Sequence, residues 1–226
     1  MMELLDSAIE SAVSLQIGDP SRWNEGLLST IDVLHVVHAT DLQGLSILPQ
    51  LRSLILVGCE IATISSLPFL ERLGSLEIED SSLESLDGVG KFSLHTLGVR
   101  RNFLQEISPV TRIENLEQLD VTGNPLNVEA VRVALPELRA RGVHVKSSSE
   151  MEISLMRRMH ASGLPFSYYR SSMGYQLSRP GLALTANPEG DHPFVQPEEL
   201  ESLIARSPDE VAALFEDEDR LWPPQT

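Results

Sequence analysis

Several kinds of residue are scarce in this chain of 226, and each shortage excludes something. Cys59 is the single cysteine, so no intrachain disulfide can form and a reducing, cytosolic setting is expected. Lysine is nearly missing. Of 17 basic residues only Lys91 and Lys146 are lysine, which reads as the codon bias of a GC-rich bacterium. Aromatics make up 5%, and no apolar run is long enough to span a bilayer as a helix. Positive charge is short overall: 33 acidic residues against 17 basic leave a formal net charge of −16, which argues against a nucleic-acid binder and its basic footprint. The opening residues Met1-Met2-Glu3-Leu4-Leu5-Asp6 show neither a basic n-region nor an apolar h-region. No secretory signal is therefore expected, and the expected location is cytoplasmic.

Catalytic and metal-binding signatures are missing too. The histidines His35, His38, His95, His144, His160 and His192 include no H-E-x-x-H pair, and with one cysteine there is no zinc-type cluster, so no metal and no cofactor are expected. No phosphate-binding loop, dinucleotide fingerprint or nucleophile elbow occurs. His160, Tyr168, Tyr169, Arg170 and His192 are the residues an active site in the last third of the chain would use; scattered His and Tyr are more often structural.

What the chain does have is a repeat. Aliphatic pairs recur as Leu34-His35-Val36, Leu54-Ile55-Leu56, Leu76-Glu77-Ile78, Leu97-Gly98-Val99 and Leu119-Asp120-Val121, with a weaker Val143-His144-Val145. The steps between first members are 20, 22, 21, 22 and 24 residues. Such a period means a solenoid of stacked units. An aliphatic precedes each of the five strong pairs by three positions (Ile31, Leu51, Leu73, Leu94, Leu116). A small or amide residue follows three positions after each (Ala39, Cys59, Ser81, Asn102, Asn124). Two positions later Ile61, Leu83, Leu104 and Leu126 restore an aliphatic. The first unit departs from the pattern at Ala39 and in its length.

This pattern resembles the leucine-rich repeat family, in particular its short type of about 21 to 22 residues found in internalins and in the phosphatase-1 regulatory subunit. The resemblance covers roughly half the chain, and four units in phase carry it. It implies an α/β fold: a leucine-rich repeat solenoid with a parallel β-sheet on the concave face. The bacterial repeat-containing ubiquitin ligases need a catalytic cysteine outside the repeats, whereas Cys59 lies inside them at the turn position. That reading fails, and Cys59 reads as a buried ladder thiol. Nor is the extracellular role of secreted internalins carried over.

In each unit the Leu-x-Leu pair should form a short strand with its leucines inward and the residue between them outward. The outward list gives Val33, His35, Val37 and His38, then Ser53, Ile55 and Val57, then Ser75, Glu77, Glu79 and Asp80. Thr96, Gly98, Arg100 and Arg101 follow, then Gln118, Asp120 and Thr122, and last His144 and Lys146. The candidate partner-binding set within it is Val33, His35, Val37, Ile55, Val57, Glu77, Glu79, Asp80, Arg100, Arg101, Asp120 and His144. Exposed aliphatics in a patch mark interaction sites unless the N-terminal segment covers them. The acidic run is either solvated or paired with the arginines one unit on.

Residues 1–26 read as an N-terminal helical cap, with a helix from Glu3 to Leu15 ended by Gly18-Asp19-Pro20 and Trp23 behind it. Residues 27–146 hold five to six repeats, the fifth leading into a longer helix from Val128 to Arg141. Residues 150–226 read as a small α+β unit. Its elements are a helix from Met151 to His160, strands around a turn at Ser171 to Gly174, and a third strand at Leu182 to Thr185. Two short helices follow, the second opened by a capping box at Ser207-Pro208-Asp209-Glu210, and then an acidic tail with Trp222.

The expectation is a non-enzymatic interaction protein whose concave face binds another protein. Most concretely it is a cytosolic bacterial inhibitor of the immunity type with a basic protein partner, no nucleic acid, no membrane, and a monomeric chain. A regulatory scaffold holding a second partner on residues 150–226 is the alternative. An enzyme within the same residues is a third reading.

Overall fold

The structure is a computed structural model and describes residues 5–221. Glu3, Leu4 and Trp222 of the readings above lie outside them. Helix α1 (Ser7–Ile17) starts later than its periodicity suggests, because Asp6 accepts the Ala8 N–H and caps it. The same carboxylate accepts from Thr40 and Asp41 in the first repeat, tying helix to array. Ile9, Ala12 and Val13 form the buried face of α1. After a one-turn helix α2 (Glu25–Leu28), the repeats begin.

Strands β1 (Val33–Val37), β2 (Ser53–Val57), β3 (Ser75–Glu79), β4 (Thr96–Gly98), β5 (Gln118–Asp120) and β6 (His144–Lys146) form one parallel sheet in chain order. The register follows the repeat: Leu34, Leu54, Leu76, Leu97, Leu119 and Val145 align across it. Ala39 does not disturb the first unit, where the small side chain is simply buried. The return limbs carry short 3-10 turns such as Gln43–Ile47 and Ser108–Arg112, so the outer side of the solenoid is compact rather than helical.

The turn position closes each unit by hydrogen bonding. The Asn102 amide donates to the Ile78 and Arg100 carbonyls at 2.9 Å, and its oxygen accepts the Leu83 N–H at 3.2 Å. Asn124 repeats the arrangement one unit on. Ser81 accepts the Cys59 N–H, and the Cys59 thiol points at the Val36 and Val57 carbonyls. Burial pushes that thiol up to about 11, so it stays protonated and serves as a weak donor. An unpaired buried carbonyl costs more than the bond that satisfies it gains, which is why the pattern needs a donor here.

After β5 the chain runs through a π turn (Ala130–Ala134) into α3 (Leu135–Ala140). Pro136 has no N–H and would collide with the carbonyl four residues back; the wider turn, with Leu135 N–H bonded to the Ala130 carbonyl, accommodates it. Helix α4 (Glu150–Ala161) opens on a reciprocal capping box between Ser149 and Glu152. The hairpin β7 (Ser167–Ser171) and β8 (Gly174–Ser178) is antiparallel, as two strands around a tight turn require.

Two expectations in this region are corrected. Leu182 to Thr185 is a turn, not a strand: Gly181 N–H bonds to the Asp80 carbonyl of the repeats, and a bridge from Phe194 to Gln176 occupies the hairpin's neighbour position. Before α6 (Pro208–Ala212), which follows α5 (Pro197–Arg206), no capping box closes. Ser207 accepts from Asp209 instead, and Glu210 pairs with Arg206 at 3.0 Å. A single buried apolar cluster runs from Ile9 to Phe215 through all these elements.

Candidate functional site

In the first, third and fourth units the outward list runs one residue past the alternation, to His38, Asp80 and Arg101. His38, Gly58, Asp80, Arg101 and Gly123 occupy equivalent positions just past the strands, all with left-handed backbone: φ is 63°, 59°, 46°, 51° and 76°. Glycine is the natural occupant, and His38 and Arg101 give no sequence warning. This turn throws the side chain off the sheet face and onto the flank, where the C-terminal segment lies. Ser167 there donates to the Gly123 carbonyl at 2.7 Å, and Glu189 meets His38 at 2.9 Å.

Asp80 and Arg101 therefore leave the candidate face. The Asp80 side chain is 1% exposed and receives both Nε and an NH2 of Arg101 at 2.7 and 2.6 Å. Arg101 also reaches Glu79 at 2.9 Å and stacks 5.0 Å from the centre of the Tyr169 ring. Burial works against the guanidinium charge, but the Asp80 hydrogen bonds and neighbouring carboxylates outweigh it and raise its pKa. Tyr169 donates to His192 Nδ1 at 2.7 Å, while His192 Nε2 sits 2.8 Å from the Pro188 carbonyl. That carbonyl only accepts, so the histidine carries its proton on Nε2. Burial lowers the His192 pKa despite nearby Asp80, and pushes the Tyr169 hydroxyl up to about 12.

The other residues suggested for an active site stand apart from this network. Tyr168 donates to the Val195 carbonyl, His160 contacts the Phe166 carbonyl, and the exposed Arg170 lies over Tyr175. Among the described residues no group of three or more His, Cys, Asp or Glu is placed to hold a metal ion.

The remaining members of the set stay on the sheet face. Val33 and Val37 are 47% and 36% exposed, and Ile55 and Val57 beside them are half-buried. Helix α1 does not cover this strip; it lies at the edge, where Gln16 donates to the Val33 carbonyl at 2.8 Å. His35 is exposed between the two valines.

Further along, Glu77, Arg100, Asp120 and His144 come together around a hollow of about 160 Å³. Gly98 creates it by having no side chain; a Cβ there would stand 3.3 Å from Glu77 Cγ. Lys146, Thr96 and Gln118 complete the lining, and a glycine at an outward strand position was the signal for them. Arg100 binds both Glu77 and Glu79. Burial alone would raise the Glu79 carboxyl, yet the Arg100 hydrogen bond and the two guanidinium charges hold it below the usual carboxylate range. The charge on this half of the face is thus largely balanced internally.

The repeat geometry defines a leucine-rich repeat solenoid, α/β in class. No family model matches the chain, and no curated protein matches it. Two solved structures from Listeria monocytogenes are similar to it. Internalin C2 is 20% identical, over 65% of this chain and 77% of that one, with a TM-score of 0.44. Internalin F is 16% identical, over 68% of this chain and 60% of that one, with a TM-score of 0.34. The likeness concerns the fold alone.

Proposed function

We propose that the chain is a non-enzymatic module that binds another protein through the concave face of its sheet. Its most concrete form is a cytosolic bacterial inhibitor of the immunity type, acting as a monomer on a basic partner. The terminal segments cap the repeat block 27–146 in this reading. The observation that carries it is the uncovered strip of Val33, Val37, Ile55 and Val57 at one end of the sheet, next to a polar hollow. An apolar patch rimmed by polar groups is what a docking surface requires. The basic sign of the partner rests on the net charge of −16, which would accelerate encounter from a distance. The balanced Glu77, Glu79 and Arg100 group contributes little to that attraction.

A regulatory scaffold is the second reading, favoured by another concavity between the repeats and the C-terminal segment that shares no residue with the sheet hollow. Affinity capture from the host's lysate at low and high salt, with mass spectrometry of what is retained, separates the two. One basic protein held mainly at low salt supports the inhibitor. Several partners indifferent to salt favour the scaffold, and nothing retained counts against both.

A further inference from the structure

We propose that a groove on the flank of the second to fourth repeats receives a cationic, extended segment of the partner, one bearing arginine or lysine. The groove encloses about 940 Å³ between the limbs leaving β2, β3 and β4 and the C-terminal segment. Glu60, Glu84, Asp87 and Glu106 line it, and no lysine or arginine does. None of these four carboxylates joins an ion pair among the described residues, in contrast to Glu77 and Glu79 on the sheet face. No cation in the lining compensates them, so the groove presents net negative charge to an approaching partner.

The lining also carries apolar side chains. Phe103 packs edge-on against His160 with ring centres 5.9 Å apart, and Pro165, Pro180 and Leu184 belong to the same lining. Burial lowers the His160 pKa, so it adds no opposing cation near neutral pH. An aromatic ring beside carboxylates suits the flat face and charge of a guanidinium and the stem of a lysine. The carboxylates belong to three successive units stacked about 4.8 Å apart, so they span roughly 10 Å along the solenoid axis. That is more than one cation can cover, which selects a chain carrying several.

The proposal takes only the partner's sign from the preceding reading; the surface is a different one. The probe is hexa-arginine, titrated calorimetrically at low salt into the full chain and into two triple variants that remove equal charge. The groove variant is Glu84→Gln, Asp87→Gln and Glu106→Gln. The control is Glu71→Gln, Glu114→Gln and Glu137→Gln, whose side chains are exposed elsewhere. All six are exposed, so both variants keep the fold. The groove variant is expected to bind about tenfold more weakly, three exposed charge contacts each contributing a fraction of that, and the control to match wild type. Equal weakening in both variants, or none in either, overturns the groove. If hexa-arginine seeks the groove while lysate capture yields no basic protein, the inhibitor reading fails and the groove stands. If a basic protein is captured but hexa-arginine ignores the groove substitutions, the groove fails and the inhibitor reading stands.

Discussion

Glu79 and Asp80 are neighbours in sequence, as are Arg100 and Arg101, yet the members of each pair do different work. Arg100, with its side chain 35% exposed, lies on the open sheet and pairs there with Glu79, which is itself mostly covered and also reaches Arg101. Asp80 and Arg101 lie in the left-handed turn row, under the C-terminal segment, among Tyr169 and His192. One residue of backbone separates the open sheet face from a seam that holds the molecule's own parts together, with Glu79 bonded to both arginines. In a solenoid the row a residue occupies decides its role more than its chemistry does. The ways to break this contrast run from the seam outward.

Arg101→Ala should have the largest effect. It strands the Asp80 carboxylate in a buried site and removes the Tyr169 contact, and breaking such a pair costs about 3–5 kcal/mol. Urea unfolding should show it; a loss within about 0.5 kcal/mol, normal for a surface site, would make the seam ornamental. Asn102→Ala comes next. It leaves the Leu83 N–H without its partner and removes the Asn102 bond from the Ile78 and Arg100 carbonyls, the latter keeping the Asp80 N–H, at about 2–3 kcal/mol in the same assay.

Acid should loosen the molecule in two stages. His192 and His160 have folded pKa values below their unfolded ones, so the unfolded chain takes up protons first as pH falls below about 6.5 and stability declines. Glu79 and Asp6 are lowered as well, so their contribution is present above about 4.5 and is lost below it as they protonate. His192→Gln should shrink the first stage of a melting-temperature-against-pH profile to the share of His160 and leave the second; an unchanged first stage would remove His192 from the account. The smallest effect on stability belongs to the open face: Val33→Asp with Val37→Asp should shift unfolding by at most about 0.5 kcal/mol per site while abolishing partner capture. A large stability loss there would mean the strip is core rather than interface.

Much of the repeat was legible because its physics is local and periodic. Inward leucines fixed the strand register, and the demand for a donor inside each bend picked out Cys59, Ser81, Asn102 and Asn124. The capping box at Ser149 and Glu152 is equally local but was not read, and the one expected at Ser207 does not close. What escaped depends on contacts distant in sequence. Nothing local marks His38 or Arg101 as left-handed, so the outward list ran one residue too far and drew Asp80 and Arg101 onto a face they do not share. Leu182 to Thr185 has strand-like composition but lies beside Gly181, which is tied to the Asp80 carbonyl. The groove was invisible for the same reason, since its lining joins residues 60–109 to residues 160–184.

The most direct test of the account measures how fast the captured basic protein associates with wild type and with Glu77→Lys/Asp120→Lys across a range of ionic strengths. Both substituted side chains border the open hollow and neither enters the buried seam. Slower association in the double variant by about tenfold at low salt, converging with wild type as salt rises, is the predicted result. Equal rates at every ionic strength would contradict the claim that the concave face meets a basic partner.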